Sequence, residues 1–287
     1  MQSLILTISC EDKPGIIAEV TKFLFENGFN IVESGQFNDK DTNNFFMRTE
    51  FQKHDSEQLL TDRSLFKLKE DFKNKVSNNY EMKWDINFSD IKVPALIFIS
   101  KEIHCLDHIL LKKDNLNLDI KGVISNHNIH KELIESNGID FFYLPIKENN
   151  KSTQEDEVIK IFNKTNSKLI ILARYMQILS EKICELVEGN AINIHHSFLP
   201  GFKGAKPYHQ AQKRGVKIIG ATAHYITKDL DEGPIIEQET IRVNHSMEIK
   251  KLIEMGKDIE STVLSRAIKL HCEKRIFLNE NKTVIFE

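Results

Sequence analysis

The densest run of chemically capable side chains is Asn193-Ile194-His195-His196-Ser197-Phe198-Leu199-Pro200-Gly201. It follows the apolar start of a strand, Ala191–His195, so Asn193 and His195, two residues apart, should point to one side. An amide donor beside an imidazole at a strand's end suits stabilisation of a developing oxyanion and movement of a proton. The ordinary alternative is a pair of strand-end polar groups satisfied by nearby backbone. About thirty residues on, Ala221-Thr222-Ala223-His224-Tyr225 and Asp231-Glu232-Gly233-Pro234 read as a strand running into an acidic turn. An Asp231 carboxylate beside His195 would favour the cationic ring; alternatively it is a plain turn acid. Four histidines lie between 195 and 224, but their spacing fits no usual metal-ligand pattern, and no metal is expected.

Other chemistries lose their usual support. GxGxxG, GxxxxGK[ST], HExxH and GxSxG are absent, which argues against most nicotinamide, nucleotide-hydrolysing, zinc-protease and serine-esterase readings. Gly201-Phe202-Lys203-Gly204 alone is a weak GxxG coincidence. Cys10, Cys105, Cys184 and Cys272 are far apart, so they read as reduced, buried thiols.

Two different rhythms must position these residues. Residues 1–88 carry a βαββαβ pattern: strands at Leu4–Cys10, Ile31–Phe37, Phe45–Phe51 and Met82–Phe88, with helices at Ile16–Asn27 and Asp55–Lys75. That order predicts a ferredoxin-like unit. Residues 93–287 form the second expected domain. Near-continuous apolar runs at Ala95–Ile99, Ile120–Ile124, Phe142–Leu144, Leu169–Ala173 and Ala191–His195 suit parallel strands buried on both faces. Ile103–Lys112, His130–Asn137, Gln154–Thr165 and Ser180–Leu186 read as crossover helices, and Met247–Phe277 as a helical tail. The fold class is therefore α/β, with a Rossmann-like doubly wound sheet whose ligands bind beyond the strands' carboxyl ends.

The 287 residues suit two domains at roughly 100–200 residues each. A formal net charge of −3 removes the basic footprint of a nucleic-acid binder. No run approaches the roughly 18 apolar residues of a membrane span. The apolar N-terminus lacks a cationic leader and alternates like a strand, so a cytoplasmic location is expected.

Asn193-x-His195 with Ser197-Phe198-Leu199-Pro200, followed by His224 and Asp231-Glu232-Gly233-Pro234, resembles the 10-formyltetrahydrofolate-dependent formyltransferase family. Within it, Lys101-Glu102-x-His104-Cys105-Leu106, Gly204-Ala205-Lys206-Pro207-Tyr208-His209-Gln210-Ala211 and Gly220–Tyr225 look most like the deformylase branch. Asp12-Lys13-Pro14-Gly15-Ile16 in its βαββαβ setting resembles an ACT domain, which that branch carries in front.

The resemblance implies a catalytic set of Asn193, His195 and Asp231, with His224 beside it. It further implies a folate pocket at Arg174, Tyr175, Met176, Gln177, Ile178 and Leu179, without a separate cofactor. His196 should point away from Asn193, either shaping the water site or supporting the turn. The strand at Ala95–Ile99 runs into Ser100-Lys101-Glu102, where a phosphate cradle would need glycines, so water is the expected acceptor and a small amine the alternative. Hydrolysis would release formate for purine synthesis and balance the one-carbon pool. At the ACT-like domain, Asp12, Pro14 and Gly15 mark a site where an amino-acid effector's carboxylate could meet backbone amides; a ligand-free pairing module is the other reading. Open sheet edges suggest a homodimer or homotetramer.

Overall fold

The computed structural model describes residues 2–54, 60–146, 151–201 and 207–287. The chain divides into two compact units, residues 1–91 with 273–287, and residues 92–272.

In the first unit, β1 (Ser3–Glu11), α1 (Ile16–Glu26), β2 (Phe29–Asp39), β3 (Asn44–Lys53), α2 (Asp62–Phe72) with its continuation through a π-helical turn at Lys73–Ser77 into α3 (Asn78–Tyr80), and β4 (Lys83–Phe88) realise the expected order. The start expected for the second helix, residues 55–59, lies outside the described residues; Thr61 caps α2, its side chain accepting from the Ser64 amide. The sheet order is β2-β3-β1-β4. Leu4, Leu6 and Ile8 alternate inward against Val20, Leu24 and Phe72, because a strand with one face under helices must place its apolar side chains at period 2.

The second unit contains β5 (Val93–Ile99), α4 (His104–Lys112), β6 (Leu118–Ser125), α5 (Lys131–Ser136), β7 (Phe141–Tyr143), α6 (Lys151–Lys164), β8 (Leu169–Leu172), α7 (Glu181–Leu186), β9 (Ala191–His195), α8 (Pro207–Arg214), β10 (Ile218–Tyr225), β11 (Ile235–Arg242) and α9 (Ile249–Cys272). Its sheet order is β11-β10-β9-β8-β5-β6-β7, parallel from β9 to β7 and antiparallel across β10 and β11. Leu96, Phe98, Ile170 and Leu172 are buried together with Val158 of α6 and Ile183 of α7. The central apolar runs are thus covered rather than amphipathic.

The C-terminal boundary differs from the expected domain of residues 93–287. After α9 the chain turns into a hairpin, β12 (Ile276–Asn279) and β13 (Lys282–Ile285), within the first unit. Phe277 packs on Phe46, ring centroids 5.6 Å apart. Arg275 and the buried Arg48 both reach Glu33 Oε2 at 3.0 Å. The five residues 273–277, whose spacing continues the helical pattern, therefore belong to the first unit instead. All four cysteines are buried and none forms a disulfide. Among the described residues, no helix is long and apolar enough to cross a membrane.

Candidate active site

Strand β9 delivers Asn193 and His195 to one cavity, of about 270 Å³, beyond the carboxyl ends of β8 and β9. The antiparallel register sets His224 of β10 opposite Asn193, and Thr222 opposite His195. At His224 the pairing of β10 with β11 shifts by one residue. Such a bulge re-aims the strand end, and beyond it lies the turn that carries Asp231.

His195 Nδ1 lies 3.2 Å from Asp231 Oδ1, and both side chains are buried or nearly so. That hydrogen bond is the main reason the Asp231 carboxyl sits below the usual carboxylate range despite its burial. With Nδ1 committed, His195 Nε2 is the other ring nitrogen; it is buried and has no hydrogen-bond partner among the described residues, in a side chain that lines the cavity.

His224 Nδ1 lies 2.8 Å from the Tyr225 carbonyl oxygen, which can only accept, so Nδ1 carries the proton. Burial lowers the His224 pKa and keeps the ring neutral, leaving Nε2 as an acceptor. Asn193 Nδ2 donates to it at 3.1 Å. This bond fixes which end of the Asn193 amide is NH2 and leaves its second N–H available. An amide donor and an imidazole nitrogen, each held from behind, thus share one cavity.

The turn holding Asp231 is tightly seated. Asp231 itself has a left-handed backbone, φ 58°, a conformation that Asp tolerates better than most residues. Tyr225 N donates to Pro234 O at 2.9 Å. A Cβ at Gly233 would overlap the Tyr225 carbonyl oxygen, so only glycine lets the turn close on the strand. Gly233→Ala should therefore cost about 2–4 kcal/mol of stability and pull Asp231 from His195. Thermal unfolding and turnover check this together; an unchanged melt with full activity would contradict it.

The six residues of the expected folate loop, Arg174, Tyr175, Met176, Gln177, Ile178 and Leu179, all line the same cavity. Arg174 has φ 66°, and Met176 N donates to Ser100 Oγ at 2.9 Å, which anchors the loop to the end of β5. Tyr175 stacks edge-on against Phe98 and receives a hydrogen bond from Gln154 at 3.1 Å. Met176, Ile178 and Leu230 are exposed and give the cavity an apolar rim.

His196 lines the same cavity and an adjoining apolar one, where it can shape the water site. Burial, then Arg174, pushes its pKa down to about 4, so the ring is neutral at neutral pH.

Thr222 was not singled out from sequence, yet it ties the loop after His195. Its hydroxyl donates to Ser197 O at 2.9 Å and accepts from Leu199 N and Gln238 Nε2. Threonines at inward strand positions are too common to flag by sequence. Phe202-Lys203-Gly204 and the Gly204-Ala205-Lys206 part of the second motif lie outside the described residues. In the first unit, Asp12, Pro14 and Gly15 line one shallow surface cavity, with the Asp12 carboxylate accepting from Asn38 Nδ2.

Sheet order, strand-end cavity and the Asn–His–Asp arrangement define a formyltransferase-type catalytic unit joined to an ACT-type unit. The formyl transferase family matches residues 94–268 and the ACT domain family residues 4–63. Formyltetrahydrofolate deformylase of Bacillus subtilis (strain 168) is 42% identical over 98% of this chain and 93% of its own length. That of Corynebacterium sp. (strain P-1) is 41% identical over 98% and 97%. The crystal structure of formyltetrahydrofolate deformylase from Burkholderia mallei ATCC 23344 superposes with a TM-score of 0.94 at 41% identity, covering both chains completely. Phosphoribosylglycinamide formyltransferase from Anaplasma phagocytophilum, 28% identical with a TM-score of 0.64, covers 68% of this chain and 95% of its own. The chain belongs to the formyltetrahydrofolate deformylase family.

Proposed function

We propose that the chain hydrolyses 10-formyltetrahydrofolate to formate and tetrahydrofolate. The observation that carries this reading is the pair of prepared groups at one cavity: Asn193, its amide oriented by His224, and His195, its Nδ1 held by Asp231.

Water attacks the formyl carbon and the carbonyl oxygen becomes an oxyanion. The second N–H of Asn193 donates one hydrogen bond to it, and a proton on His195 Nε2 donates another. Asp231 balances the positive ring that this proton creates. The C–N10 bond then breaks, N10 takes a proton from His195 directly or through water, and formate leaves as the anion. Of the attacking water's two protons, one passes to Asp231 or a cavity water as the C–O bond forms and is released to solvent, and the other, lost as formic acid ionises, restores the proton that His195 gave to N10. The loop from Arg174 to Leu179 receives the pterin, with backbone groups for its polar edge and the apolar rim for its ring.

In the first unit, the cavity at Asp12, Pro14 and Gly15 is assigned to a small amino-acid effector, its carboxylate meeting the backbone amides of the turn. The released formate would serve purine synthesis, and the chain would work as a homodimer or homotetramer.

The reading is tested by incubating the protein with 10-formyltetrahydrofolate in amine-free buffer. Formate and tetrahydrofolate should appear in equal amounts. Release that depends on an added small amine would instead establish a formyltransferase, and tight binding without product a folate sensor.

A further inference from the structure

Two of the deformylase-like motifs and the expected folate loop meet at a residue outside them all, the buried Glu260 of α9. Its side chain is 1% exposed. His104 Nε2 donates to Oε2 at 2.8 Å, Tyr208 OH donates to Oε1 at 2.5 Å, and Arg174 Nε lies 3.3 Å from Oε2. Burial alone would raise its pKa, but the His104 hydrogen bond, the Arg174 charge and the Tyr208 hydroxyl hold it below the usual carboxylate range. Glu260 is therefore ionised in the interior, an arrangement that often stabilises a fold less than an apolar group of the same size would.

Two further features indicate that the contact is built. Gly256 lies four residues before Glu260, one turn along the same face of α9, and a Cβ there would overlap the Tyr208 ring. A glycine inside a helix costs about 1 kcal/mol relative to alanine, and here it makes the seat in which Tyr208 reaches Glu260. Arg174 keeps a left-handed backbone and lines the catalytic cavity; among the described residues neither its Nε nor its Nη1 has a hydrogen-bond partner, so Nε meets Glu260 through charge alone and Nη1 is left unpaired. A buried guanidinium donor left unpaired is costly, and a ligand oxygen in that cavity would satisfy it. His196 sits between the two groups of charges: its ring centroid is 5.3 Å from His195 and 6.2 Å from Tyr208. His104, Cys105 and Glu260 also place ligand atoms within 4.8 Å of one another. His104 Nε2 and both Glu260 oxygens are already committed to hydrogen bonds, so charge pairing accounts for this cluster.

We propose that Glu260 is a positioning residue of the hydrolytic site, whose carboxylate, braced by His104 and Tyr208, holds Arg174 so that Nη1 meets an acceptor oxygen of the bound folate. This rests on the hydrolytic reading above.

The test is a double-mutant cycle on the full chain with Glu260→Gln, Arg174→Ala and the pair. KM and kcat for 10-formyltetrahydrofolate and the affinity for tetrahydrofolate are measured for each. Each single change should raise KM and weaken tetrahydrofolate binding by about 10–100-fold, with a smaller change in kcat. The double variant should be no worse than the worse single one, since both remove one interaction. Effects that multiply, or a Glu260→Gln affinity within twofold of wild type, overturn the proposal. Tyr208→Phe keeps the ring in its Gly256 seat and loses only the hydroxyl. If Glu260→Gln does not fold, Tyr208→Phe takes its place in the cycle, with a weaker loss that must again vanish in the Arg174→Ala background. A wild-type protein that binds tetrahydrofolate but releases no formate would sink the hydrolytic reading alone, because the cycle can still be closed on binding.

Discussion

Asp231→Asn should lower turnover by about 10³–10⁴-fold while tetrahydrofolate binding stays near wild type. The carboxylate accepts from His195 Nδ1 at 3.2 Å and supplies the only anionic group found within ion-pair distance of that ring among the described residues. An amide in its place removes the charge that balances a proton on Nε2. If its NH2 end faces the ring, it also demands the wrong tautomer. Because the Asp231 pKa is depressed, its carboxylate persists above that lowered value and is lost only as pH falls through it. The contribution of the pair to activity should thus be complete at neutral pH. Turnover within tenfold of wild type in a folded Asp231→Asn protein would contradict the assignment.

The second large effect is expected at Asn193. Removing one oxyanion donor typically costs about 10²–10³-fold in turnover, and Asn193→Ala should fall on that scale with little change in binding. The hydrogen bond from Asn193 to His224 explains why a short side chain suffices: its amide is already turned before substrate arrives. Steady-state kinetics beside tetrahydrofolate titration separates the two terms. Near-normal binding with hydrolysis within threefold of wild type would remove Asn193 from the mechanism.

These two residues were the most legible part of the chain. Period-2 alternation at the end of an apolar strand put Asn193 and His195 on one side, and the acidic turn before Gly233-Pro234 marked Asp231. The strands of the four-stranded sheet and the parallel strands of the second unit could be placed because their apolar runs are bounded by turn residues. What remained hidden depends on register or on distance along the chain. The role of His224 follows from its cross-strand register opposite Asn193, which no local pattern announces. Glu260 looks like any charged residue of an amphipathic helix until its partners, 52 to 156 residues away, are brought to it. The helical reading overruns α9 as far as Phe277 because Ile276, Phe277 and the residues before them carry no turn signal strong enough to separate them from the preceding periodicity.

Hydrolysis by direct attack of water on the formyl carbon is tested most directly by a single turnover in ¹⁸O-labelled water, with formate analysed by mass. One solvent oxygen per formate, present from the first turnover and without any amine, is the predicted result. Unlabelled first-turnover formate, or formate released only when an amine is added, would contradict it.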